Sequence, residues 1–183
     1  MRSTMWRRLD VTGMEACAVV RAGAGYMVSG AALYAVENEP IRIEYSVTCA
    51  EDWACRAATV DRWIGADRMQ IAIQRRDDGR WAIDGRAIDG VDGLVDIDLG
   101  FTPATNTNAI NRLKLSIGDQ AASTAVWLDD ETWTFKPLRQ RYERLSDSSY
   151  RYLSVDSGYE AVLEVDDFGL IRVYPDLWQT VMA

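Results

Sequence analysis

The densest group of side chains able to do chemistry lies between Asp96 and Arg112. The run reads Asp96-Ile97-Asp98-Leu99-Gly100-Phe101-Thr102-Pro103-Ala104-Thr105-Asn106-Thr107-Asn108-Ala109-Ile110-Asn111-Arg112. On a strand, residues two apart share a face, so Asp96 and Asp98 project together with Ile97 buried opposite. Two carboxylates so placed could bind a divalent cation, or keep one proton for acid/base work. The plainer alternative is a solvated pair, or a pair accepting hydrogen bonds from Arg112 and nearby amides. Thr102, Thr105, Asn106, Thr107, Asn108 and Arg112 supply the dense donor and acceptor set that sugar hydroxyls or a polar head group require. The same groups could instead satisfy the backbone of an irregular turn and act as a hydrogen-bond hub.

The chain has no histidine, which removes the commonest neutral-pH base and excludes Ser/His and Cys/His nucleophile pairs. Three cysteines, Cys17, Cys49 and Cys55, do not form a disulfide framework, and the spacing of the last two is not a usual zinc spacing. They read as small buried apolar residues. Seven Trp and eight Tyr stand against three Phe, so large rings with polar handles are abundant. Trp53, Trp63, Trp81, Trp127, Trp133 and Trp178 are scattered through the strands, a pattern typical of core. Gln140-Arg141-Tyr142 and Tyr150-Arg151-Tyr152 suggest a polar-aromatic surface rimming a cleft or a dimer contact.

These groups are positioned by a β-rich chain. Period-two alternation marks strands at Ile41-Ile43-Tyr45-Val47, Met69-Ile71-Ile73 and Val95-Ile97-Leu99. It recurs at Leu113-Leu115-Ile117, Trp133-Phe135, Tyr159-Ala161-Leu163-Val165 and Ile171-Val173. Asp77-Asp78-Gly79 and Asp166-Asp167-Phe168-Gly169 read as hairpin turns. The pattern is that of an antiparallel meander in one domain, residues 1–183, with no evident βαβ crossover. Thr102 followed by Pro103 fits an N-cap with proline at the first helical position, predicting a short helix from there to about Arg112.

A length of 183 residues allows a conventional core, and a chain of this size buries roughly two-thirds of its unfolded surface. The net charge of -8, with basic residues only in short interrupted clusters, argues against nucleic acid. Asp10, Glu15 and Arg21 interrupt the apolar run a signal peptide needs, and no window is long and apolar enough to span a membrane. The cytoplasm is therefore the expected location.

The run from Asp96 to Thr107, with Arg112-Leu113 after it, resembles the signature of the family known as "Putative glycolipid-binding". The likeness continues through Gln140-Arg141-Tyr142-Glu143-Arg144-Leu145, Tyr150-Arg151-Tyr152, Val165-Asp166-Asp167-Phe168-Gly169-Leu170 and Tyr174-Pro175-Asp176-Leu177-Trp178. Trp6-Arg7-Arg8-Leu9, with Gly13 and Glu15 downstream, fits as well. The resemblance implies a spiral β-roll, a many-stranded antiparallel sheet wrapped around a single α-helix, often dimeric. It also implies a structural kinship with lipoprotein carriers and mycobacterial glycolipid-binding lipoproteins. Members commonly carry Pro where this chain has Asn108-Ala109-Ile110-Asn111, and the resemblance implies no catalytic residue.

The leading expectation is a non-enzymatic binding protein for a glycolipid or other amphipathic ligand, working without cofactor or metal. Its candidate ligand-binding residues are Asp96, Asp98, Thr102, Thr105, Asn106, Arg112, Arg141 and Tyr142. One alternative is an interaction module acting as a homodimer. Another is a carboxylate-dependent enzyme using Asp96 or Asp98, with Arg112 or Arg141 as anion clamp.

Overall fold

The computed structural model describes residues 1–182. Eight strands run as antiparallel neighbours from the N-terminus: β1 (Arg2–Arg8), β2 (Gly13–Ala22), β3 (Gly25–Val36), β4 (Glu39–Cys49), β5 (Cys55–Ile64), β6 (Asp67–Arg75), β7 (Trp81–Ile83) and β8 (Arg86–Ala87). Then come β9 (Asp96–Leu99), the helix α1 (Asn106–Leu113), β10 (Gln120–Asp129), β11 (Thr134–Ser146), β12 (Ser149–Ser154), β13 (Tyr159–Val165), β14 (Ile171–Tyr174) and β15 (Trp178–Met182). Strand β15 pairs with β1, which joins both halves into one 15-stranded sheet with β8 and β9 at its ends.

The sheet curls back on itself without closing. The Cys55 amide donates to the Val95 carbonyl at 2.8 Å, which brings β5 against the segment entering the terminal strand β9. Helix α1 sits in the space the roll encloses. Its side chains reach β5 through Asn108, β11 through Asn106 and the β13–β14 turn through Asn111. Those three places are far apart along the sheet, so the sheet must wrap around the helix to meet them. The expected β-roll around one helix is the fold observed.

Alternation places the core as expected in the middle strands. Ile41, Ile43, Tyr45 and Val47 point inward from β4, and Ala161, Leu163 and Val165 from β13. The buried Trp6 indole donates to the Ile171 carbonyl at 2.6 Å, stitching β1 across β15 to β14. Strands β1 to β3 escape the sequence pattern because their inward positions include Glu15, Cys17 and Gly30 rather than a run of large apolar side chains.

Three expectations are corrected. Leu113-Leu115-Ile117 is the end of the helix and a loop, not a strand. Strands β9 and β10 pair in parallel and are joined through α1, so one βαβ unit interrupts the meander. The helix begins at Asn106, not next to Pro103, because Thr102 folds a turn. There Thr102 Oγ1 accepts from the Ala104 amide at 3.0 Å.

Helix α1 has eight residues, no side-chain cap and a Thr/Asn-rich sequence, so helix propensity does not hold it. Tertiary bonds do. Asn106 Nδ2 donates to Tyr142 Oη at 2.9 Å, and Asn111 Nδ2 donates to the Phe168 carbonyl at 2.9 Å. The strongest bond ties the last helical turn to β9. Arg112 Nε and Nη2 donate to Asp96 Oδ1 and Oδ2 at 2.7 and 2.5 Å, while Ser123 Oγ of β10 also bonds Asp96 Oδ2. Asp96 is 2% exposed, so losing the guanidinium leaves a buried carboxylate without its counter-charge. Arg112→Leu is therefore expected to cost about 3 kcal/mol in urea denaturation; a loss under about 0.5 kcal/mol would contradict this assignment.

Candidate functional site

Strand β9 carries its two aspartates to different ends. Asp96 is consumed by Arg112 and Ser123 as described, whereas Asp98 emerges at the floor of a cleft. Asp98 Oδ2 accepts from Gln140 Nε2 at 2.6 Å, and the same amide nitrogen donates to Tyr152 Oη at 3.0 Å. Gln140 is 2% exposed, so Asp98 is held by a buried positioning group rather than by a mobile surface side chain.

The cleft has a volume of about 380 Å³. Its walls bring Trp127 from β10, Tyr152 from β12, Tyr174 from β14 and Trp178 from β15 around Asp98 and Asp130. Thr102, Pro103 and Asn106 close one side. A larger groove of about 620 Å³ crosses the outer face of β13 to β15, but no aromatic ring lines it. The cleft therefore combines what the groove lacks: flat apolar rings and convergent carboxylates.

Gly100 is what lets this floor form. A Cβ there would lie 2.6 Å from Asp130 Oδ1 and 2.9 Å from Trp127 Nε1, closer than any side chain tolerates. A glycine just after β9 thus lets a carboxylate and an indole approach the backbone together.

The electrostatics of the cleft are those of partly dehydrated acids. Burial pushes the Asp98 carboxyl up to about 6; the Gln140 hydrogen bond opposes this, and the charges of Asp130 and Asp96 add to it. Asp130 is also raised by burial, with Asp129 and Glu131 adding and Arg8 opposing. Tyr152 and Tyr174 are raised by burial, so they remain neutral hydroxyls at any physiological pH.

A second buried acid stands behind the cleft wall. Glu15 on β2 is 1% exposed, and its Oε1 accepts from Thr102 Oγ1 at 2.6 Å and from the Tyr45 hydroxyl. Gly30 makes that possible, because a Cβ there would meet the Tyr45 hydroxyl at 2.5 Å. Glu15 Oε2 has no hydrogen-bond partner among the described residues. Burial pushes this carboxyl up to about 7, against the hydrogen bonds from Thr102 and Tyr45 and the charge of Arg8. Thr102 both lines the cleft and bonds Glu15, so it joins the cleft wall to this second acid.

The residues named from sequence divide clearly. Asp98, Thr102 and Asn106 reach the cleft. Asp96, Thr105 and Arg112 do not line it: Thr105 Oγ1 accepts from the Leu99 amide at 3.2 Å, and the other two form the helix clamp. Tyr142 is 1% exposed and bonded to Asn106, so it belongs to the core beneath the cleft. Arg141 points to solvent on the opposite face of β11, as its neighbour's burial demands. Of the expected polar-aromatic surface, Tyr152 lines the cleft, while Gln140, Tyr142 and Tyr150 are buried and do not line it. The aspartates are not an open, solvated pair either. The candidate ligand-binding residues leave out Trp127, Asp130, Gln140, Tyr152, Tyr174 and Trp178; period-two parity with Tyr142 flags Gln140, whereas Tyr152 follows only from its register opposite Tyr142. Cys49 and Cys55 are buried free thiols facing each other at 3.6 Å across β4 and β5. No cluster of ligating side chains suited to a metal ion occurs among the described residues.

A family model described as "Putative glycolipid-binding" matches residues 3–180. The chain belongs to that family. Among solved structures it is similar to a DUF1089-family protein from Pseudomonas aeruginosa. That likeness has 29% identity over 90% of this chain and 91% of that one, with a TM-score of 0.80. It is also similar in fold to a β-barrel-like protein of unknown function from Brucella abortus. There the identity is 10% over 98% of this chain and 95% of that one, with a TM-score of 0.55. No curated protein matches. No helix among the described residues is long and apolar enough to cross a membrane.

The raised Glu15 carboxyl makes stability depend on pH in a definite direction. A carboxyl whose folded value lies near 7 and whose ordinary value is 4.5 favours the fold fully below 4.5, and that contribution is lost as pH rises through 7. Glu15→Gln keeps the acceptor for Tyr45 and Thr102 without ionising. Relative to the parent, its stability is expected to rise between about pH 5 and pH 8, by on the order of 2 kcal/mol. Urea titrations at both values measure it. Parallel pH profiles for the two proteins would contradict the assignment.

Proposed function

We propose that this protein is a binding protein for a sugar-bearing amphipathic ligand, whose head group occupies the cleft over Asp98. The observation that carries this reading is the pairing of Trp127, Tyr152, Tyr174 and Trp178 with Asp98 and Asp130 in one concavity. Sugar rings present apolar C–H faces that stack on aromatic rings, and hydroxyl donors that carboxylates accept. Asp98 is pre-oriented by Gln140, so it can accept such a donor without first being ordered.

The cleft volume sits near the lower end of small-ligand sites, which suits a head group and not a whole lipid. The axis of the roll is taken by α1 together with Phe101 and Ala104, both 0% exposed. An acyl chain would therefore leave the cleft along its apolar rim at Leu138 and Leu177 and would not thread the roll. The family description is in keeping with this ligand class. Asp96 and Arg112 serve the ligand only by holding β9 and α1 in place.

A second reading, self-association as a homodimer, has its own observation. Met14 and Leu33 face each other in register on the outer surface of β2 and β3, 41% and 60% exposed, with Val36 also exposed nearby. Light scattering at micromolar concentration decides it: a dimer supports that contact, and a strict monomer contradicts it.

Octyl β-D-glucoside below its micellar concentration is expected to shift the intrinsic tryptophan fluorescence saturably. Trp127→Ala should weaken that binding at least fivefold, the equivalent of about 1 kcal/mol of stacking. Thermal melts confirm that the variant is folded. Absence of any saturable change with octyl glucoside, with ligand-free protein in native mass spectrometry, would overturn the binding reading.

A further inference from the structure

Charge balance around the cleft goes further than shape. Three carboxylates line it, Asp98, Asp130 and Asp156, and no lysine or arginine does. Arg139, Lys136 and Arg8 each have a carboxylate partner, with Arg8 Nη1 left without one among the described residues. Arg139 pairs with Asp156 at 2.5 Å, Lys136 with Asp129 at 2.7 Å, and Arg8 with Asp10 at 2.6 Å. Asp98 and Asp130 have no ion pair among the described residues, and Arg8 acts on Asp130 only at longer range.

The hydrogen bonds have the same polarity. Asp98 has one donor, Gln140 Nε2, on Oδ2. Asn106 Nδ2 is spent on Tyr142, and Tyr159 Oη donates to the Pro175 carbonyl. Besides its carboxylates, the cleft presents the Tyr152 and Tyr174 hydroxyls and the faces of its aromatic rings to an incoming group. Aromatic faces attract cations through their quadrupole, and they do so most strongly where water is excluded. Trp127 and Trp178 already show this behaviour: Lys136 Nζ lies 4.6 Å from the Trp127 ring and the Arg8 guanidinium 4.9 Å from that of Trp178. A neutral sugar would leave the two unpaired carboxylates without a counter-charge, and an anionic head group would be repelled by them.

We propose that the cleft selects a head group carrying a protonated amine, an amino sugar, with the ammonium placed between Asp98 and the aromatic wall. The proposal rests on the sugar-binding reading of the same cleft and adds the charge of the ligand to it. An acetylated amine keeps the ring and the stacking but loses the charge, so it is the discriminating probe.

Three octyl glycosides that differ only at the second sugar carbon test it by fluorescence titration at about pH 7: the 2-amino-2-deoxyglucoside, its N-acetyl form and the parent glucoside. Tetramethylammonium serves as a sugar-free cation. The amino glycoside is expected to bind at least tenfold tighter than both neutral glycosides. Asp98→Asn should abolish that preference, bringing the amino glycoside to the affinity of the neutral glycosides measured on the same variant, and Asp130→Asn provides a second charge-removing variant should the first fail to fold. Equal binding of all three glycosides would overturn the amine selectivity and leave the sugar reading intact. Binding of tetramethylammonium with no glycoside bound would overturn the amino-sugar proposal together with the sugar reading. No binding of any probe would overturn both.

Discussion

The bond between Asp96 and Arg112 is the constraint on which the rest depends. A sheet of fifteen strands that curls without closing needs something at its centre, and this chain supplies a helix too short and too polar to form by itself. The forked guanidinium clasps the carboxylate in two nearly parallel bonds, so helix, terminal strand β9 and neighbour β10 are fixed as one unit. The parallel pairing of β9 with β10 follows, because the helix must carry the chain back across the roll. Asp98, two residues on, is delivered to the cleft as a consequence.

Function is built on the far end of that unit. The helix clamp uses one aspartate of the pair and frees the other, which is why two carboxylates on one strand have different roles. Gly100 then lets β10 present Trp127 and Asp130 beside Asp98. Thr102 links this floor to Glu15, a buried acid in the N-terminal half, so the cleft rests on both halves of the roll. A head group in the proposed site would meet side chains already held by other bonds, which would reduce the ordering cost of binding.

Much of the architecture was legible in the sequence, and the reason differs by element. Strand β4 and strand β13 bury large apolar residues at alternate positions, and the Asp-Gly turns between strands declare themselves. Strands β2 and β3 do not, because their inward positions hold an acid, a thiol and a glycine whose suitability depends on Tyr45 arriving from the next strand. The Thr102-Pro103 pair points to a helix in the right run but not to its start, because Thr102 spends its hydroxyl on Glu15 and the Ala104 amide and the helix has no side-chain cap. At the site, the motif residues Asp98, Thr102 and Asn106 were found, since they are local to one run. Trp127, Tyr152, Tyr174 and Trp178 come from four strands, and only the register of the whole sheet brings them together. Naming both Arg141 and Tyr142 conflicted with the period of a strand, which sends consecutive side chains to opposite faces.

The aromatic, acidic cleft over Asp98 is the proposed resting place of a sugar head group. Two-dimensional ¹H–¹⁵N spectra of the protein titrated with an alkyl glycoside test it most directly, since the indole N–H of each tryptophan reports separately. Progressive shifts of the Trp127 and Trp178 indoles and of the Gln140 side-chain amide are expected, with the Trp63 and Trp81 indoles unmoved. Shifts confined to the outer grooves of the sheet, or none at saturating glycoside, would contradict it.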